Sequence, residues 1–206
     1  MGRVVTALVP RAGRREQEVD LFIDGQFCAR LLSLTAAQLA QGQELSQEQV
    51  EALLQDDEAN RAQERALRLL EHRPRSRAEL EKRLRQAGFA PAAIAKALER
   101  LARVGLVDDH AFARYWVEQR LAFRPRSTRA LRYELRAQGV NPEAIAAALQ
   151  SVDDTRAALE LARAQRRREA EDESAYRRRL AALLRRRGFS YGTVRAVLEA
   201  ISKDEE

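Results

Sequence analysis

The sequence predicts a mainly α fold, an elongated tandem array of three three-helix units behind a small N-terminal β-sheet and hairpin region. Three observations predict it. A glycine-centred apolar pattern recurs three times, helix caps and stops fall at matching offsets within the copies, and the N-terminal stretch instead shows β-branched runs around an Asp-Gly pair.

The repeat is read by placing Gly88, Gly139 and Gly188 on top of one another, at spacings of 51 and 49 residues. Eight and four residues before them stand Leu80 and Leu84, Leu131 and Leu135, Leu180 and Leu184. One residue after come Phe89, Val140 and Phe189; six after, Ile94, Ile145 and Val194; ten after, Leu98, Leu149 and Leu198; thirteen after, Leu101, Val152 and Ile201. Leucines at i and i+4 share one helical face, and a glycine just beyond them closes the helix in the left-handed conformation that side chains resist.

Taken in order, residues 3–9 (RVVTALV) read as a strand and Arg11–Arg15 as a basic loop. VDLFI and QFCARL flank Asp24-Gly25, which suits the positive φ angles of a type I′ hairpin turn. A three-stranded sheet over about residues 3–32 follows from these runs. Thr35 starts a short turn ending at Gly42, and Ser46-x-x-Gln49 is a capping box opening a helix with Val50, Leu53 and Leu54. Asp56-Asp57-Glu58 reads as a solvated linker that interrupts the chain before the next helix.

Three helices per copy follow, roughly 61–72, 77–87 and 91–103, then 110–122, 128–138 and 142–151, then 155–170, 175–187 and 191–202. Arg-Pro-Arg-Ser at 73–76 and 124–127 stops one helix and caps the next, with Ser76 and Glu79 as a capping box. Asn141 before Pro142, and Ser190, cap the third helix of their copies, whereas Ala90-Pro91 keeps only the proline. A unit of about 50 residues buries little alone, so neighbours should stack. The expected divisions are 1–60, 61–109, 110–154 and 155–206.

Composition narrows the function classes. Of the 206 residues 45% are hydrophobic and 33% charged, too apolar for a disordered tail, with a net charge of +6. Residues 1–60 carry 5 basic against 10 acidic side chains, a net of −5, so the remainder carries +11 and favours an anionic partner, nucleic acid foremost. Aromatics, at 5%, are too scarce to suggest a base-stacking platform. The lone Cys28 forms no internal disulfide and suits a reducing cytoplasm; with His72 and His110 it makes no zinc site. Apolar runs are far shorter than the roughly 20 residues of a membrane span, and Val4–Val9 stops at Pro10, too short for a signal-peptide core. No phosphate-loop, dinucleotide or metalloprotease motif is present, so neither an enzyme nor a cofactor is expected.

The arginines carry the functional expectation. With the first leucine of each middle helix at zero, the second falls at about 40° and Arg85, Arg136 or Arg185 at about 140°, away from the core. Arg129 and Arg178 recur at another outward position, where the first copy has Ala78. Cations in a last turn also offset the helix dipole by about 0.3–1 kcal/mol each. A repeated row of guanidiniums, however, suits phosphate backbones, and no helix carries a compact base-reading set. Asp108-Asp109 reads as a helix cap rather than a metal pair, and Phe112, Tyr115 and Trp116 as packing residues.

The run RALRLLEHRPRSRAELEKRLRQAGF…AIAKALERLARVGLVDDHAFARYWVEQR, followed by LRYELRAQGVNPEAIAAAL, closely resembles the RecX family, regulators of the bacterial RecA recombinase. RPRS-x-x-EL, GLVDD-x-x-FA-x-x-W and the glycine-centred repeat carry the resemblance most specifically, over about residues 62–150; residues 155–206 resemble the third unit more loosely, with RRREAEDES in place of Arg-Pro-Arg-Ser. It implies a protein that lies along RecA nucleoprotein filaments, contacts RecA and single- or double-stranded DNA with low sequence specificity, and suppresses ATP hydrolysis, strand exchange and co-protease activity in recombination, repair and the SOS response. The candidate RecA- and DNA-binding residues are Arg73, Arg75, Lys82 and Arg85; Arg124, Arg126, Arg129, Arg132 and Arg136; and Arg177, Arg178, Arg185 and Arg186. A cytoplasmic monomer is expected, since a stacked array completes its own core. The alternative is a helix-turn-helix-like DNA-binding transcription regulator.

Overall fold

The computed structural model describes residues 2–11, 18–165 and 172–204. Beyond Arg11 the predicted basic loop lies outside the described residues, as do most of RRREAEDES and the end of the helix expected over 155–170. The chain divides into two compact units, Met1–Val107 and Asp108–Glu206.

In the first unit β1 (Arg3–Pro10), β2 (Glu18–Ile23) and β3 (Gln26–Leu32) form the expected antiparallel meander. Asp24 (φ 51°) and Gly25 (φ 76°) turn the hairpin as the Asp-Gly pair predicts. After the short α1 (Ser33–Ala36), a fourth strand, β4 (Glu44–Leu45), pairs with β1 and gives the order β3-β2-β1-β4. At two residues it is too short to show a strand pattern in the sequence. Val5, Val19, Leu21, Ile23 and Leu31 bury one sheet face together with Ala36, Leu45 and Val50.

α2 (Gln47–Leu70) corrects the reading of the acidic trio, because it runs unbroken for 24 residues from the Ser46/Gln49 capping box through Asp56-Asp57-Glu58. Each acid is held by tertiary partners instead of by water. Asp57 is 5% exposed and accepts hydrogen bonds from Leu32 N at 2.7 Å and Arg61 Nε at 2.7 Å. Asp56 pairs with Lys96 Nζ at 2.9 Å and Arg100 Nη2 at 2.5 Å. Glu58 accepts from Ala90 N at 2.7 Å, supplying from a neighbouring helix a partner for the residue that has no capping side chain of its own. The N-terminal half of α2 thus closes the sheet's core, and its C-terminal half is the first helix of repeat 1, packing Ala62 and Ala66 with α3 (Arg77–Gln86) and α4 (Pro91–Arg103).

The second unit holds repeat 2, with α5 (Asp109–Phe123), α6 (Thr128–Ala137) and α7 (Pro142–Leu149), and repeat 3, with α8 (Asp154–Arg163), α9 (Glu173–Arg186) and α10 (Tyr191–Asp204). Each repeat has its own core, and Leu121 packs against both. Of the eighteen repeated apolar positions all but Phe89, Val152 and Leu198 are buried, and those three are half-buried. Gly88, Gly139 and Gly188 take φ of 91°, 74° and 91°, and the residue after each donates its N–H back to Leu84, Leu135 or Leu184. This is the helix stop that the spacing predicts. Asp108, Ser76, Ser127, Asn141 and Ser190 all cap as expected, and Asp172 takes the capping place in repeat 3. Phe112 is core, as read, and Trp116 packs beside it.

Candidate nucleic-acid interface

The structure sorts the thirteen predicted cations by what already holds them. In repeat 1 the Arg-Pro-Arg-Ser turn is tied down through Glu79. Arg75 has a side chain only 10% exposed, pairs with Glu79 and donates Nε to Leu69 O at 2.9 Å. It fastens the end of α2 to the start of α3, and little of it is open to a ligand. Arg73 is exposed but pairs with the same carboxylate at 2.7 Å. On the outward face of α3, Arg85 pairs with Glu81 one turn before it, while Lys82 has no ion-pair partner among the described residues.

Repeat 2 differs. On α6 the residues Arg129, Arg132, Tyr133 and Arg136 fall within an arc of about 100°, opposite buried Leu131 and Leu135, and all four are exposed. Where α3 carries Glu81, α6 carries Arg132, so Arg136 lacks the pairing that Arg85 has. Neither Arg132 nor Arg136 has an ion-pair partner among the described residues. In repeat 3, Arg177 is half-buried between Glu173 at 3.6 Å and the Ser202 hydroxyl. Arg178 donates to Ser174 Oγ at 3.0 Å, and Arg185 and Arg186 are exposed at the end of α9.

The two repeats of this unit meet where α9 ends. Ser127, itself 1% exposed, donates N–H to Arg187 O at 3.2 Å and Oγ–H to Gly188 O at 2.7 Å, and Arg129 Nη2 lies 3.5 Å from the same carbonyl. These bonds bring the chain at Arg187 against the segment that carries Arg124 and Arg126. Burial lowers the Arg187 pKa from its ordinary value, and the charges of Arg126, Arg124 and Arg186 lower it further. Glu134 is the acid paired with this group, through Arg126, and it is shared with other donors. Glu134 takes Trp116 Nε1 at 2.8 Å and Arg120 Nε at 2.7 Å on one oxygen. Its other oxygen is 2.7 Å from Arg126 Nη1 without hydrogen-bond angles, so that oxygen and Arg126 Nε are both buried and unsatisfied. Asp154 accepts from Thr128 N at 2.7 Å. The result is a group of arginines in which Arg187 feels three like charges and Arg126 alone pairs with an acid among the described residues, a chemistry suited to an anion.

The candidate residues read from the sequence leave out Arg187, the end of the Arg185-Arg186-Arg187 run, and the exposed aromatics. Phe123, Tyr133 and Tyr191 are 76%, 76% and 80% exposed. Tyr133 could have been found, since it lies at about 200° from Leu131 on the helical projection, opposite the core. Among the described residues no helix is long and apolar enough to cross a membrane.

These features define a protein of tandem three-helix repeats with exposed arginines and an N-terminal sheet domain. Family models for the first, second and third three-helix domains of RecX match residues 62–101, 108–149 and 153–198. The chain belongs to the RecX family. It is 41% identical over 149 residues to the regulatory protein RecX of Mycobacterium leprae (strain Br4923), covering 70% of this chain and 87% of that one. It is 43% identical over 129 residues to the regulatory protein RecX of Mycobacterium avium (strain 104), covering 60% and 75%. A crystal structure of a regulatory protein RecX shares the fold at a TM-score of 0.73 and 22% identity over 96% of this chain and 99% of that one. RecX from Lactobacillus salivarius does so at 0.62 and 19% identity, over 71% and 98%.

Proposed function

We propose that this protein regulates the RecA recombinase as an inhibitor, binding along the RecA–DNA filament and suppressing ATP hydrolysis, strand exchange and co-protease activity in recombination, repair and the SOS response. Family membership across all three repeats carries this reading. The protein acts in the cytoplasm as a monomer, and its cationic residues touch both RecA and DNA of any sequence. Several weak contacts on one chain gain affinity from their linkage. Of the predicted residues Arg124, Arg129, Arg132, Arg136, Arg185 and Arg186 are the strongest candidates, because they are exposed and free of acidic partners among the described residues. Arg73, Lys82, Arg85, Arg126, Arg177 and Arg178 assist from the margins, and Arg75 maintains the turn.

The test is to titrate the purified protein into pre-formed RecA filaments on single-stranded DNA and follow ATP turnover. Falling turnover is expected, and turnover indifferent to the protein would overturn the reading. Reversing Arg85, Arg136 and Arg185 together to Glu should abolish inhibition while circular dichroism stays helical. Full inhibition by that variant would remove these three arginines from the mechanism.

A further inference from the structure

We propose that the junction of repeats 2 and 3 is a binding site for single-stranded DNA, in which Arg124, Arg126, Arg186 and Arg187 hold backbone phosphate and Tyr133 and Tyr191 stack on bases. The inference rests on the reading of the exposed arginines as DNA contacts and deepens it by naming the strand state and the residues.

Geometry places both kinds of residue at one junction. Gly188 sits against α6 so closely that a Cβ there would lie 2.8 Å from Ser127 Oγ and 2.9 Å from Ala130 Cβ. Ala130 and Arg129, whose Nη2 lies 3.5 Å from Gly188 O, mark the face of α6 turned toward that glycine. Tyr133 projects between those two azimuths, one turn further along. Tyr191 follows Gly188 by three residues and opens α10. The two tyrosines thus flank the turn that carries Arg186 and Arg187, and both leave most of their surface in water.

Physical chemistry favours a single strand over a duplex or an acidic protein. Like charges beside a guanidinium whose buried Nε–H lacks an acceptor are relieved when an anion joins them, and planar guanidiniums match phosphate oxygens. Exposed tyrosines gain nothing from a duplex whose bases are already stacked, but they offer platforms to unpaired bases. An acidic protein surface would use the arginines and leave the rings without purpose.

The experiment uses the full chain without RecA, so its failure is distinct from failure of the inhibitor reading. Fluorescence anisotropy would follow binding to labelled oligo-dT, to an abasic strand of equal length, to oligo-rU and to duplex DNA. Oligo-dT should bind tightest. Replacing both tyrosines (Tyr133→Ser with Tyr191→Ser) should weaken oligo-dT binding by at least about fivefold per ring and leave abasic binding unchanged. Replacing Arg124 and Arg186 by Ser should weaken both strands and lower the slope of log K on log salt by about 1.4. All four positions are exposed, and circular dichroism with Trp116 fluorescence checks the fold. Equal affinity for abasic and oligo-dT strands, or tyrosine variants that bind oligo-dT like the parent, would overturn the stacking site. Tighter binding to oligo-rU or to duplex would overturn the single-stranded DNA assignment. No DNA binding beside intact inhibition of RecA would overturn the site altogether and assign the cluster to protein.

Discussion

The Ser127 hydroxyl donates to the Gly188 carbonyl at 2.7 Å, joining residues 61 apart in the chain and fastening repeat 3 to repeat 2. One side chain therefore performs two tasks. The same Oγ accepts from Ala130 N at 3.2 Å to cap α6. A serine that looks like an ordinary helix cap in the sequence is also the bolt between two cores.

Gly188→Ala and Gly88→Ala should separate conformational cost from packing cost. Both glycines have φ of 91°, and alanine there costs about 1–2 kcal/mol. Nothing lies within 4 Å of a Cβ at Gly88, whereas at Gly188 it meets Ser127 and Ala130. Overpacking adds about 1–3 kcal/mol at the second site alone. Chemical denaturation of the two variants should show Gly188→Ala as clearly the more destabilised; equal losses would mean that the junction yields without cost.

Asp57→Ala should destabilise the first unit by about 3 kcal/mol, since it orphans the buried Leu32 N–H and removes a carboxylate from Arg61. Arg61 retains Glu18 at 2.8 Å and Arg30 O at 3.0 Å, which limits the loss. Circular dichroism during urea titration measures it, and a midpoint shared with the parent protein would contradict the tertiary role given to this acid.

Acid sensitivity should concentrate partly at Asp56. The hydrogen bond from Lys96, aided by Arg100 and opposed by burial, holds its carboxyl below the usual 3.8. A depressed folded-state pKa gives stability that is complete above 3.8 and is lost as pH falls through the folded value. Asp56→Asn should therefore lower stability at neutral pH and flatten its decline under acid. Denaturation midpoints measured from neutrality downward should converge for the two proteins below 3.8, and parallel curves would rule out Asp56 as a contributor.

Much of this fold was legible because its signals are local. Leucines four apart, a glycine stop and a capping serine act within one or two turns, so the repeats, their caps and the Asp-Gly hairpin could be read directly. The continuity of α2 could not, because Asp56, Asp57 and Glu58 are stabilised by Lys96, Arg100, Leu32 and Ala90, all distant in sequence. The candidate site divides the same way. Outward positions on α6 follow from helical projection, but the approach of Arg187 to Arg124 and Arg126 depends on how repeat 3 docks on repeat 2. The inward turn of Arg75 depends on Glu79, a residue that the sequence marks only as a cap.

Arg126 and Arg132 should separate stability from binding within one repeat. Arg126 lies 2.7 Å from Glu134, which also holds Trp116 and Arg120, so Arg126→Ala disturbs a shared carboxylate at the edge of the Trp116 ring. A loss of about 1 kcal/mol is expected, visible in the fluorescence of the chain's single tryptophan, whose indole N–H donates to that carboxylate. Arg132 is exposed, so Arg132→Ala should change stability by less than about 0.5 kcal/mol. If it meets phosphate, its loss should reduce the salt slope of single-strand binding by about 0.7. A stable Arg132→Ala protein with the full slope would show that the outer face of α6 serves RecA rather than DNA. An Arg126→Ala protein with unchanged stability would show that the crowded guanidiniums at the junction, and not Glu134, govern the energetics of that corner.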